Sequence, residues 1–145
     1  MAQLVMGVII ECRGDLLSSD ECLAHCVSSD FYMNAGVAKP IKHRFGGVRQ
    51  LLAQRRRVGE VAYLFRENRI IFYLVTKPRF YDRPTLNTLR SCLRVLAQLC
   101  FDLEVSNLSI SRLGCGLDRL NWNDVKNEIW MAFSSLNITI TVYYL

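Results

Sequence analysis

The feature that most constrains this chain is the alternation of two hydrophobic rhythms along its length. Short apolar runs at Val5 to Ile10, Leu23 to Val27, Val61 to Phe65, Ile70 to Val75, Leu108 to Ile110 and Ile138 to Tyr144 are rich in β-branched and aromatic residues. Turn residues bound them, so they read as strands. Longer segments between them repeat apolar residues every third or fourth position. Thr85 to Cys100 does so through Leu86, Leu89, Leu93, Leu96, Ala97 and Cys100, and Phe45 to Arg57 through Val48, Leu51 and Leu52. Strands interleaved with helices predict a mixed α/β layer fold.

Local signals sharpen this outline. Arg66-Glu67-Asn68-Arg69 has hairpin length, so the strands on either side of it are expected to pair antiparallel. Pro84 and Thr85 mark the start of the long helix. Asn121 offers a cap for a third helix, with Val125, Ile129, Trp130 and Phe133 facing inward. Gly46-Gly47 and Val58-Gly59 read as turns at helix ends.

With 145 residues and 51% hydrophobic composition, the chain is long enough for one compact domain over 1–145 with a core of its own. The start, MAQLVMGVII, is short and lacks a basic flank. A strand is expected there rather than a signal or anchor, and with it a soluble, unexported monomer of the nucleus or cytoplasm, without membrane contact. Six cysteines in apolar segments of such a chain are expected to be reduced thiols. CLAHC at 22 to 26 offers up to three metal ligands but has neither a CxxC spacing nor an obvious fourth partner, so no metal is expected.

The net charge of +5 is concentrated in Lys39, Lys42, His43, Arg44, Arg49, Arg55, Arg56 and Arg57. An anionic partner such as RNA or DNA is one reading of that stretch and a solvated helix face the other. The second is favoured because, Phe45 apart, no aromatic residues interleave with the basic ones as stacking platforms would.

Ligands of α/β sheets collect beyond the carboxyl ends of strands, and three loops qualify. Arg13-Gly14-Asp15-Leu16-Leu17 sets an acid after a tight turn, to cap a helix or accept from an amine. Met33 to Ala38 is small enough for a ligand to approach the backbone before a helix begins. Arg112 to Trp122 brackets Cys115 with Gly114 and Gly116, both expected in conformations closed to larger residues, and carries Asp118 beyond them. Lys77, before Pro78, projects at the sheet rim.

Taken together these segments resemble the macrodomain family, in the branch of terminal ADP-ribose protein glycohydrolases. The resemblance spans nearly the whole chain. It is carried by RGDL at 13 to 16, LAHCVS at 23 to 28, MNAGVA at 33 to 38, RFGGV at 44 to 48, GEVAYL at 59 to 64, YLVTK at 73 to 77, RPT at 83 to 85, RLGCGLDRLNW at 112 to 122 and ITVYYL at 140 to 145.

The resemblance implies a three-layer α/β/α sandwich with a mixed central sheet, no metal and no cofactor. The activity it implies is release of ADP-ribose from acidic side chains of mono-ADP-ribosylated proteins and deacylation of O-acyl-ADP-ribose. Lys77 takes the position of the nucleophile and Asp118 that of the proton shuttle. Asp15 and Leu16 fall at the adenine end, Asn34, Ala35 and Gly36 on one wall, Arg112, Leu113, Gly114, Cys115, Gly116 and Leu117 around the diphosphate and distal ribose, and Leu145 at the terminus. The attacking amine must be uncharged, and Arg79 is the expected cationic neighbour that would favour this.

Two positions depart from the family pattern: Asn34 stands for glycine and Ser111 for proline. Asparagine tolerates positive φ, which would preserve the loop shape. A reader that binds ADP-ribose without turnover stays open as an alternative, as does a nucleic-acid-binding macrodomain using residues 39 to 57.

Overall fold

The computed structural model describes residues 7–145. Six strands, β1 (Val8–Arg13), β2 (Cys22–Ser28), β3 (Val61–Arg66), β4 (Arg69–Lys77), β5 (Asn107–Ser111) and β6 (Thr139–Tyr144), form one sheet in the order β1-β6-β5-β2-β4-β3. Every pairing is parallel except that of β3 with β4, so the sheet is mixed. Four helices flank it: α1 (Ala38–Phe45), α2 (Val48–Ala53), α3 (Leu86–Asp102) and α4 (Trp122–Phe133).

Strand β4 shows why two cores exist. It is buried along almost its whole length. Ile70, Phe72 and Leu74 join the core under α3 and α4, whereas Ile71, Tyr73 and Val75 join the one under α1 and α2. Successive side chains of a strand point to opposite faces, so a strand covered on both sides must be apolar throughout. The expected α/β/α sandwich follows.

The β3–β4 hairpin closes through Glu67 and Asn68 at φ 54° and 60°, the paired left-handed conformation of a two-residue turn matched to strand twist. Thr85 caps α3 by accepting from the Thr88 amide at 3.1 Å, and Asn121 caps α4 by accepting from the Asp124 amide at 3.2 Å.

Four expectations change. Residues 5 and 6 of the first strand lie outside the described residues, and β1 continues through Glu11, Cys12 and Arg13, because an edge strand needs backbone partners and not apolar side chains. The helix expected over Phe45 to Arg57 is two helices: Gly46 and Gly47 hold φ at 58° and 74°, end α1 and start α2, and Arg55 at φ 53° is already outside α2. Leu52 is exposed; Ile41, Phe45 and Leu51 do the packing. Trp130 faces solvent, 41% exposed, and the side chain buried beside it is Glu128, paired with Arg90 of α3 at 2.8 Å.

Candidate active site

The carboxyl ends of the parallel strands lie along one rim of the sheet and release the three loops singled out above. After β1, the Gly14 amide donates to the Tyr144 carbonyl at 2.8 Å, fixing this loop to the end of β6. The Asp15 carboxylate accepts from the Leu17 amide at 3.0 Å and caps a short 3-10 turn at Leu16–Ser18. Leu16 is buried in the core beneath α1, so only its backbone and the exposed Asp15 remain for a ligand.

The loop after β2 sends Phe31 and Met33 into the core at φ 51° and 47° and leaves Asn34, Ala35 and Gly36 exposed. Strain is carried by those two anchors, while Gly36 takes φ 58° without it; Asn34 is not at positive φ, so backbone tolerance is not what asparagine supplies here. Its Oδ1 accepts from Lys42 Nζ at 3.0 Å, and the same ammonium donates to the Tyr32 carbonyl at 3.0 Å. A basic residue expected on a solvated face thereby braces the loop.

The loop after β5 is wound on itself. Cys115 donates its amide to Arg112, Leu120 to Gly114 and Arg119 to Gly116, at 3.0, 2.7 and 3.2 Å. Leu113 is buried beneath it. Gly114 needs glycine, with φ at 70° and Leu120 filling the space of a side chain. Gly116 does not: it is not at positive φ, and a Cβ there would meet nothing within 4 Å. The chain therefore leaves open space over Gly116. Leu117 is 71% exposed, and its Cδ1 would stand 3.7 Å from a Cβ at Gly36, so the second and third loops face each other.

Arg112 turns outward from this wall. Its guanidinium lies 4.7 Å from the Tyr144 ring centroid, 5.7 Å from that of Trp122 and 3.7 Å from Glu11, leaving only its backbone toward the loop interior. Trp122, the first residue of α4, is a half-buried brace whose Nε1–H donates to Glu11 at 3.0 Å. Bonds from Lys126 and Trp122 hold the Glu11 carboxyl below its ordinary range. Leu145 follows β6 and is 95% exposed.

Lys77 and Asp118 meet where these loops converge. A register shift between Val27 and Ser28 leaves Lys77 opposite Ser28, and Thr76 is buried at the irregularity. Bulges of this kind re-aim a side chain. Lys77 Nζ donates to Asp118 Oδ1 at 2.7 Å, the side chains being 14% and 19% exposed. An amine and a carboxylate in direct contact, both reachable from solvent, can exchange a proton and present a nucleophile. Arg79 is not the cationic neighbour of Lys77: it pairs with Asp82 at 3.3 Å and lies over the Tyr81 ring.

Sequence reasoning passed over Asp30. One carboxylate oxygen accepts from the Ser28 hydroxyl and from the Tyr32 amide at 3.0 Å, the other from the Phe80 amide at 3.0 Å. Burial pushes its pKa up, but these bonds and the charge of Lys77 outweigh it and hold the carboxyl low. The Ser28-x-Asp30-x-Tyr32 spacing of a side-chain-capped turn was the available signal.

The cysteines are free thiols. Burial pushes Cys92 and Cys100 up to about 12 and raises Cys115, where Arg112 offsets part of the effect, so these three thiols are not prepared as nucleophiles. Among the described residues no cluster of metal-ligating side chains occurs, and no helix is long and apolar enough to cross a membrane. A surface hollow of about 820 Å³ lies elsewhere, between α3 and α4, and its charged lining includes the Arg90–Glu128 brace.

No family model matches the chain. It is 44% identical to the ADP-ribose glycohydrolase OARD1 of Homo sapiens, over 92% of this chain and 89% of that protein. The macrodomain of Thermus aquaticus DarG shares its fold at a TM-score of 0.86 and 24% identity, covering 96% of this chain and 99% of that one. Thermosipho africanus DarTG in complex with ADP-ribose does so at 0.82 and 20%, covering 94% of this chain and 41% of that one. With a mixed sheet between helical layers and a loop-lined rim, the chain belongs to the macrodomain family. Within that family it is a hydrolase.

Proposed function

We propose that this protein releases ADP-ribose from glutamate and aspartate side chains of mono-ADP-ribosylated proteins and deacylates O-acyl-ADP-ribose. The observation that carries the reading is the 2.7 Å contact between Lys77 and Asp118 at the convergence of the loops. Asp118 takes a proton from Lys77, and the freed amine attacks the anomeric carbon of the distal ribose. The bond to the acceptor carboxylate breaks, and its electron pair leaves with the carboxylate. Opening of the sugar ring, with a proton delivered by Asp118, gives an imine on Lys77. Water adds to the imine carbon, releasing ADP-ribose and the lysine amine.

Binding draws on the same loops. The backbone of 112–117, with open space over Gly116, suits the diphosphate and distal ribose, the 34–36 stretch forms the facing wall, and Asp15 accepts from the adenine amine. The test is release of free ADP-ribose from a glutamate-linked substrate. Wild type should release it, and Lys77→Ala and Asp118→Ala should not while still binding ADP-ribose. Wild-type binding without release would make the protein a reader.

A further inference from the structure

Three aromatic side chains with no part in this chemistry stand exposed beside Lys77. Tyr32 and Phe80 stack with centroids 4.3 Å apart and planes 25° apart, and Tyr81 meets Phe80 edge-on at 5.2 Å. They are 46%, 49% and 63% exposed. A contiguous exposed aromatic patch is costly unless something covers it.

The patch is built on the same backbone as the nucleophile. Tyr32 leaves the loop after β2 and Phe80 the loop after β4, and Asp30 accepts both of their amides. The Ser29 amide donates to the Lys77 carbonyl at 2.9 Å, and the Ser29 hydroxyl to the Pro78 carbonyl at 2.6 Å. The rings are thereby fixed to both sides of the strand end that presents Lys77.

We propose that Tyr32, Phe80 and Tyr81 form a docking surface for the acceptor polypeptide, taking an apolar or aromatic side chain next to the modified acid. This rests on the reading of Lys77 as the group that attacks the distal ribose. The acceptor is bonded to the carbon under attack, so its chain has to leave the site past Lys77. Arg83, exposed at this rim, matches the charge of an acidic segment.

A polypeptide fits better than a nucleic acid because much of the ring-face area is already taken. Tyr32 carries Phe80 and has Lys42 Nζ 5.9 Å from its centroid, while the Arg79 guanidinium lies 5.1 Å from that of Tyr81. A base needs a free face to stack on, whereas an apolar side chain packs against ring edges as well.

The test compares Tyr32→Ala/Phe80→Ala with wild type on two substrates: a glutamate-linked ADP-ribosyl peptide carrying a leucine or phenylalanine beside the modified residue, and O-acetyl-ADP-ribose, which has no polypeptide. The variant should lose about tenfold in kcat/KM on the peptide, through KM, as expected for truncating an anchor at an interface, and stay within about twofold on the small ester. Equal losses on both substrates, or none on the peptide, would overturn the proposal. So would a loss confined to an ADP-ribosylated single-stranded oligonucleotide, assayed as a third substrate.

Titration with the modified peptide and with free ADP-ribose reads docking without turnover. Wild type should bind the peptide more tightly, and the variant should lose that surplus. Equal wild-type affinities would overturn the docking surface. Absence of turnover with the surplus intact would overturn only the hydrolase reading.

Discussion

Gly114 lies so close to Leu120 that a Cβ on it would stand 2.8 Å from Leu120 Cδ1, with the backbone held at φ 70°. Gly116, two residues on, has neither constraint. The two glycines of one motif therefore serve different ends.

Gly114→Ala should lower stability by about 1 to 3 kcal/mol, from left-handed strain and overpacking together. Gly116→Ala should leave stability within about 0.5 kcal/mol, as for a surface substitution, and weaken ADP-ribose binding. Denaturant unfolding and calorimetric titration of both variants check this. Equal destabilisation of the two, or unchanged affinity in Gly116→Ala, would contradict it.

His25 sets a pH dependence. It is fully buried against Tyr73, centroids 4.7 Å apart, with neither ring nitrogen hydrogen-bonded, and burial pushes its pKa down from 6.5 to about 3. The unfolded chain takes up this proton near pH 6.5 and the folded chain only near 3. The contribution of neutral His25 is thus complete above about 6.5 and lost as pH falls toward 3, by roughly 1.4 kcal/mol per pH unit. Between pH 7.5 and 5.5, His25→Phe should lose less Tm than wild type; identical losses would contradict this.

Cys115→Ser should retain activity. The thiol donates to the Leu113 carbonyl at 3.3 Å, a bond that a hydroxyl can replace, and burial raises its pKa away from thiolate character. A loss beyond about a hundredfold in kcat, the scale at which a catalytic group is at stake, in a folded variant would contradict this.

Asp30→Ala should weaken the register of the two loops it joins. The Tyr32 and Phe80 amides lose their shared acceptor at an exposed position, worth about 1 kcal/mol in all. Turnover should fall more than stability does, because both loops adjoin Lys77. Asp30→Asn, which keeps one acceptor oxygen, should recover part of the activity; no difference between the two variants would contradict the role.

The central strands were legible in the sequence because β4, covered on both faces, has to be apolar throughout, and the hairpin because Glu67-Asn68 fits a two-residue turn. Helix α1 was hidden: Pro40 in its first turn reads as a breaker, and its many basic residues mask the spacing of Ile41 and Phe45. Trp130 read as core because size and periodicity favour burial, yet Glu128 is buried beside it through Arg90. The position of Lys77 at a strand end was readable; its contact with Asp118, 41 residues away, came only through family resemblance. Nothing local joins Tyr32 to Phe80, 48 residues apart, so their stack was not legible in the sequence.

The most direct test of the account is to trap the imine. Wild-type protein mixed with a glutamate-linked ADP-ribosyl substrate is treated with borohydride during turnover and mapped by mass spectrometry. The account predicts a reduced ADP-ribose adduct on Lys77, absent from Lys77→Ala. Steady release of ADP-ribose with no adduct, or an adduct on another residue, would contradict it.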